Sequence, residues 1–138
     1  MSAGERRQTF PAAAISAGHA RRFVEGALDV AGLATFSYAA TLLVSELVAN
    51  AVLHTGTSFD VVVRPGADRV RIEVHDGSPE LPVRRHYSNM SGTGRGLMLV
   101  ERMAAGWGSD LTAKGKVVWF ELDRRSAQAF DILSVEAI

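Results

Sequence analysis

Apolar and polar positions along this chain repeat in two different periods, and the change from one to the other marks out the elements. Ile15, His19, Phe23, Gly26–Ala27 and Val30 recur every three or four residues, which predicts a helix from Ile15 to Val30. Ser16 reads as an early cap and Gly32 as the C-terminal stop. A second helix is predicted from Phe36 to His54, where Leu42, Leu43, Leu47, Ala51 and Val52 form one face and Val44, Val48 and Leu53 widen it. Gly56 ends it. The period then drops to two. Phe59, Val61 and Val63 alternate with Asp60, Val62 and Arg64. Pro65–Gly66–Ala67–Asp68 is a turn, and Val70, Ile72 and Val74 alternate with charged neighbours, so the two strands make an antiparallel hairpin.

The flanks are plainer. Arg6 to Phe10 is a short first strand. Gly77 to Thr93 has no period and carries Pro79, Pro82 and Gly92, the pattern of a functional lid or a disordered loop. Gly94 and Gly96 open a helix through about Ala105, Trp107 to Leu111 reads as a strand, Gly115 as a hairpin turn, and Val117 to Leu122 as a closing strand. Arg124 to Ile138 is mixed, a short helix or a partner-docking tail. This order predicts one α+β domain over residues 1–138: a two-layer α/β sandwich with a mixed, mostly antiparallel sheet and helices on one face.

Composition narrows the function. Fifteen Lys and Arg balance fifteen Asp and Glu over 138 residues, and the signs are interspersed, so no basic face for direct nucleic-acid binding is expected. The absence of cysteine excludes disulfides and thiolate metal sites and suits a reducing cytoplasm. Met1 to Phe10 is polar, unlike a secretion signal. The longest uncharged stretch, Ala31 to Ser45, falls short of the roughly 20 apolar residues a membrane helix needs and runs into Glu46 and Asn50, so no membrane association is expected.

Three segments carry candidate chemistry. Glu46 and Asn50 are four apart, so they share one stripe of an otherwise apolar helix, continued by His54. That stripe is either the solvent face of the helix or a carboxylate and carboxamide that must be satisfied by something, and Mg²⁺ with its oxygen ligands would do so. Asp76–Gly77 ends a strand. The pair is either a turn former or an acceptor for an adenine amino group with room for close approach. Gly92-Thr93-Gly94-Arg95-Gly96-Leu97 precedes a helix and is either a hinge or a set of backbone N–H groups turned toward an anion. The spacing fits neither a dinucleotide fingerprint nor a P-loop: a GxGxxG would need glycine at Leu97 or Leu99, and Gly115–Lys116 lacks both the upstream glycine and a following Ser or Thr.

Taken in order, these segments resemble the ATP site of the Bergerat (GHKL) fold. Glu46-Leu-Val-Ala-Asn50-Ala-Val-Leu-His54 resembles its N box, Asp76–Gly77 its first glycine box, and Gly92 to Leu97 its second. The Ser-Pro-Glu-Leu-Pro segment from Ser78 and the closing Gly115-Lys-Val-Val-Trp119-Phe-Glu-Leu resemble the anti-sigma-factor serine/threonine kinases of actinobacteria. The similarity runs from about Ala14 to Leu122. It implies ATP and Mg²⁺ as cofactors. Asn50 would ligate the metal, Glu46 would orient or deprotonate the attacking group, and Asp76 would read adenine. Gly77 would admit it, and Gly92, Thr93, Gly94, Arg95, Gly96 and Leu97 would lie over the phosphates. Residues 77–93 would be the ATP lid, in which Arg84, Arg85 and His86 reach phosphate or a partner, or are simply solvated. Residues 124–138 would be a tail.

Two positions depart from the family pattern. Ser78 stands where a second glycine is common, and the threonine that helps hold adenine through a water is matched here to Val117. The resemblance implies a kinase that phosphorylates an anti-anti-sigma (STAS-domain) protein and competes for a sigma factor, as a cytoplasmic protein and possible homodimer. A non-catalytic, nucleotide-responsive module that sequesters a regulator is the alternative. The detached catalytic half of a histidine kinase is a third reading, disfavoured because His19 and His54 lie inside this domain's own helices.

Overall fold

A computed structural model of the chain describes residues 4–78, 100 and 102–128. Five strands form one sheet: β1 (Arg6–Phe10), β2 (Phe59–Gly66), β3 (Arg69–Asp76), β4 (Gly106–Thr112) and β5 (Gly115–Asp123). Their spatial order is β1-β2-β3-β5-β4. All four pairings are antiparallel, where the sequence suggested a mixed, mostly antiparallel sheet. Two helices, α1 (Ser16–Val30) and α2 (Ser37–His54), pack on one face, and a 3-10 turn at Ala34–Phe36 leads into α2. This is the two-layer α+β sandwich the periodicities imply.

Alternation fixes what each strand turns toward the helices. Phe59, Val61 and Val63 of β2, Ile72 and Val74 of β3, and Val118, Phe120 and Leu122 of β5 all belong to the core. Phe36, Phe59 and Phe120 are fully buried there. Each such side chain contributes about 1.5–3 kcal/mol by leaving water. α1 lies over β1 and β2, and α2 lies over β3 and β5. Val100, Arg102 and Met103 are helical, and Val100 is buried in the same core. Segment Ala34–His54 is long and apolar enough to cross a bilayer. Here most of its apolar residues are covered by the sheet and α1, while Tyr38 and Leu53 are exposed.

The ends of α1 show how local sequence is used. Gly32 adopts φ +74°, and Leu33 N–H bonds Leu28 O at 2.8 Å while Gly32 N–H bonds Asp29 O at 3.1 Å. This is the left-handed stop that a glycine provides. The start differs from expectation. Ser16 is the first helical residue and caps nothing; its hydroxyl donates to Pro11 O at 2.7 Å and is buried. At the other end of the chain residues 124–128 are helical, opened by Asp123, whose carboxylate accepts Ser126 N–H at 2.9 Å. That bond draws the Asp123 pKa down.

The face away from the helices is charged but not bare. Val62 is buried on it, and Trp119 lies under the Arg71 guanidinium, 4.0 Å from the ring centroid. Glu73, nearly buried between them, takes Arg64 Nε at 3.0 Å, Arg71 Nε at 2.8 Å and His75 Nε2 at 2.8 Å.

Candidate functional site

The sheet geometry brings the ends of several elements to one place. Phe59 opens β2, Asp76 closes β3 and Lys116 stands near the start of β5, and these three are cross-strand neighbours. α2 ends at His54, only a short connection before Phe59, so its last turns overhang this same end of the sheet. The connection is tied down directly. Gly77 N–H donates to Thr57 Oγ1 at 3.0 Å, and Thr57 N–H donates to Thr55 Oγ1 at 3.2 Å.

Which margin of α2 faces outward follows from its contacts. Ser45 takes a hydrogen bond from Arg21 of α1 at 3.4 Å. Glu46 and Asn50 leave the opposite margin of the buried arc, because a residue advances 100° per step on a helix with 3.6 residues per turn. That margin points away from α1, on the side of β3 and β5. Glu46 and Asn50 thus flank the buried arc rather than stand opposite it. Glu46 and Asn50 are both partly buried, and His54, one turn on, is exposed.

Burial leaves two marks on this margin. Asn50 Oδ1 is buried and takes no hydrogen bond. Glu46 forms no hydrogen bond or ion pair with any described residue, and burial pushes its pKa up. An unsatisfied amide oxygen normally costs about 1–3 kcal/mol, so a group that completes it is expected. Magnesium fits the donor chemistry: a hard cation that takes one or two protein oxygens and completes its shell with phosphate and water. Among the described residues no cluster of three His, Cys, Asp or Glu side chains could hold a metal alone. Asn50 would hold the ion, and the ion would neutralise phosphate charge there.

Asp76 is on the helix-facing side, in line with Ile72 and Val74, and is buried. It forms the turn and is a buried, partnered acid. Its Oδ1 accepts Ser78 N–H at 2.9 Å, shaping the Asp–Gly turn, and also Lys116 Nζ at 2.9 Å. Lys116 is a residue that the sequence reading passed over. The signal was available: Lys116 follows Gly115 as the second residue of a strand whose even-numbered positions are core. The same register corrects another expectation. Val117 pairs with His75 on the face away from the helices, so it cannot touch a base held by Asp76; the neighbour of Asp76 on β5 is Lys116. Gly115 is required next to it. A β-carbon there would sit 2.1 Å from Asp76 O and 2.7 Å from the Gly77 backbone.

The structure thus brings Asn50, Asp76 and Gly77 to one end of the sheet, with Glu46 one turn back on the same margin of α2. Gly92, Thr93, Gly94, Arg95, Gly96 and Leu97 lie outside the described residues, as do Arg84, Arg85 and His86 and most of the expected lid and tail. A hollow reaching Asp76, Gly77 and Thr57 opens on the other face, beside Arg7, Asp60 and His75.

Residues 37–126 match the family model of histidine kinase-, DNA gyrase B- and HSP90-like ATPases. That span covers most of the chain, and the protein belongs to this ATPase family. Among curated proteins none matches the chain. Family membership supports ATP binding by the domain.

Proposed function

We propose that this protein is an anti-sigma-type serine/threonine kinase, acting in the cytoplasm on a small STAS-domain partner with Mg-ATP. The observation that carries the proposal is the pair on α2: a buried Asn50 Oδ1 that takes no hydrogen bond, one turn from a Glu46 with no partner among the described residues and a pKa raised by burial. A purely structural helix margin gains nothing from either. A phosphoryl-transfer site needs both, an oxygen ligand for the metal and a base for the incoming hydroxyl.

In this reading the serine Oγ of the partner forms a bond to the γ-phosphorus as the bond from that phosphorus to the β–γ bridging oxygen breaks. The serine proton passes to the Glu46 carboxylate, and ADP leaves. Partial burial raises the Glu46 pKa and so makes it a better proton acceptor than an ordinary surface carboxylate. Asp76 and Gly77 hold the adenine end, braced by Thr57.

The test is incubation with Mg-ATP and a STAS-domain protein from the same genome, following phosphate incorporation into the partner. Transfer that disappears in Glu46→Ala supports the kinase. Tight binding of the partner without transfer replaces it with the sequestering module, and neither binding nor transfer removes the STAS partner.

A further inference from the structure

We propose that Lys116 is a base-reading residue: with Asp76 it presents an acceptor–donor pair that matches the amino group and N1 of adenine. The inference rests on the nucleotide-binding reading above and adds a specificity determinant to it.

Three observations carry it. First, Lys116 and Asp76 are directly opposite in the β3–β5 register and both face the helix layer, at the end of the sheet where α2 and the Asp–Gly turn meet. Second, both side chains are almost wholly buried, at 8% and 4% exposure, and are joined at 2.9 Å. A lysine kept this far from water at a strand start is expensive unless its donors are used. Third, the bonding around the pair is incomplete in a particular way. Both hydrogen bonds to Asp76 fall on Oδ1, from Lys116 Nζ and Ser78 N–H, and Oδ2 takes none from a described residue. Lys116 Nζ has three protons and spends one on Asp76.

The pair therefore offers one open acceptor, Asp76 Oδ2, beside spare donors on Lys116 Nζ. Adenine carries the complement on adjacent atoms: an exocyclic N–H donor at C6 and a bare acceptor at N1. Lys116 thus supplies directly a contact that a small hydroxyl residue at the same position could make only through a water. The Lys116–Asp76 bond also fixes the carboxylate rotamer before the base arrives, which lowers the ordering cost of binding. Gly115 belongs to the same device, since its missing β-carbon lets β5 sit close enough to the Asp76–Gly77 backbone for the lysine to reach.

The experiment compares ADP with 1-deaza-ADP, which lacks the N1 acceptor and keeps the amino group, by calorimetric titration in the presence of magnesium. The expected result is a loss on the order of tenfold to a hundredfold for the deaza analogue, the range of one charge-assisted hydrogen bond. In Lys116→Met the two ligands are expected to bind equally. The comparison on the unmodified protein stands even if that variant does not fold. Equal affinities in the unmodified protein overturn the proposal, as does a difference that persists in Lys116→Met. Tighter ADP binding by Lys116→Met overturns it too, since the lysine would then be blocking the acid. Failure of ADP to bind the unmodified protein at all removes the nucleotide reading itself, an outcome distinct from ADP binding without discrimination.

Discussion

Thr57 Oγ1 holds the Gly77 N–H at 3.0 Å, so the loop that follows α2 is fastened to the turn that follows β3. The two segments carry different halves of the candidate site, Asn50 on one and Asp76 on the other. Thr57→Val keeps the shape and deletes the bond. Gly77 is exposed and its N–H can turn to water, so the stability loss is expected to be small, about 0.5–1 kcal/mol by urea denaturation. Nucleotide affinity, measured by titration, is expected to fall more steeply than stability, because the two halves lose their common anchor.

Asn50→Ala separates fold from ligand in the opposite sense. The buried Oδ1 has no partner to lose. Thermal unfolding without ligand is expected to change little. The upward shift in melting temperature that Mg-ATP gives the unmodified protein is expected to disappear. An undiminished shift in the variant would show that the oxygen holds no metal.

Glu46→Gln is expected to abolish phosphoryl transfer while leaving stability equal or raised at neutral pH. The sign follows from the raised pKa: a carboxyl that holds its proton more tightly when folded destabilises the fold wherever it is ionised, and glutamine removes that charge. Denaturant unfolding at pH 7 beside a transfer assay reads both effects.

Gly115→Ala tests the close approach of β5 to the Asp–Gly turn. The added carbon would meet Asp76 O at 2.1 Å, and backbone cannot move aside as a flexible side chain would. A loss of more than about 2 kcal/mol is expected, along with nucleotide binding, by denaturation and titration.

Glu73 gives the fold an acid dependence of its own. Burial alone would raise its pKa, but hydrogen bonds from His75, Arg71 and Arg64 outweigh burial and hold it at about 2, against an ordinary 4.5. A carboxyl depressed in this way stabilises the folded state fully above about pH 4.5, and the contribution is lost as the pH falls through about 2. The ceiling is roughly 3 kcal/mol, and screening of the part-exposed arginines reduces it. Glu73→Gln is expected to flatten stability between pH 4.5 and 2 in urea titrations run across that window.

Most of the architecture was legible because burial is periodic. Phe59, Val61 and Val63 alternate only if one face of their strand is covered, and the near-continuous apolar character of α2 announced a central helix. What the chain could not reveal was register. Whether Lys116 or Val117 stands beside Asp76 is a matter of one residue, and a one-residue slip exchanges the two faces of a strand. Alternation of Val118, Phe120 and Leu122 puts Lys116 on the core-facing side, but which β3 residue it meets depends on register, and the threonine-like position was matched to Val117. The Ser16 cap failed for a related reason. A serine beside a helix start has two uses for its hydroxyl, and the carbonyl of Pro11 was the nearer partner. Asn50 and Asp76 stand out as candidates because four-residue spacing and a strand-ending Asp–Gly are local signals.

Asp76 and Lys116 are sheet partners, yet the chain between them carries everything from the Asp–Gly turn to β4. That long excursion departs and returns across a single rung. Lengthening a loop adds only slowly to the entropy of closing it. Insertions and deletions at the tip of such an excursion leave the central pairing in place, so what the protein recognises is free to diverge while the sheet that carries it stays the same.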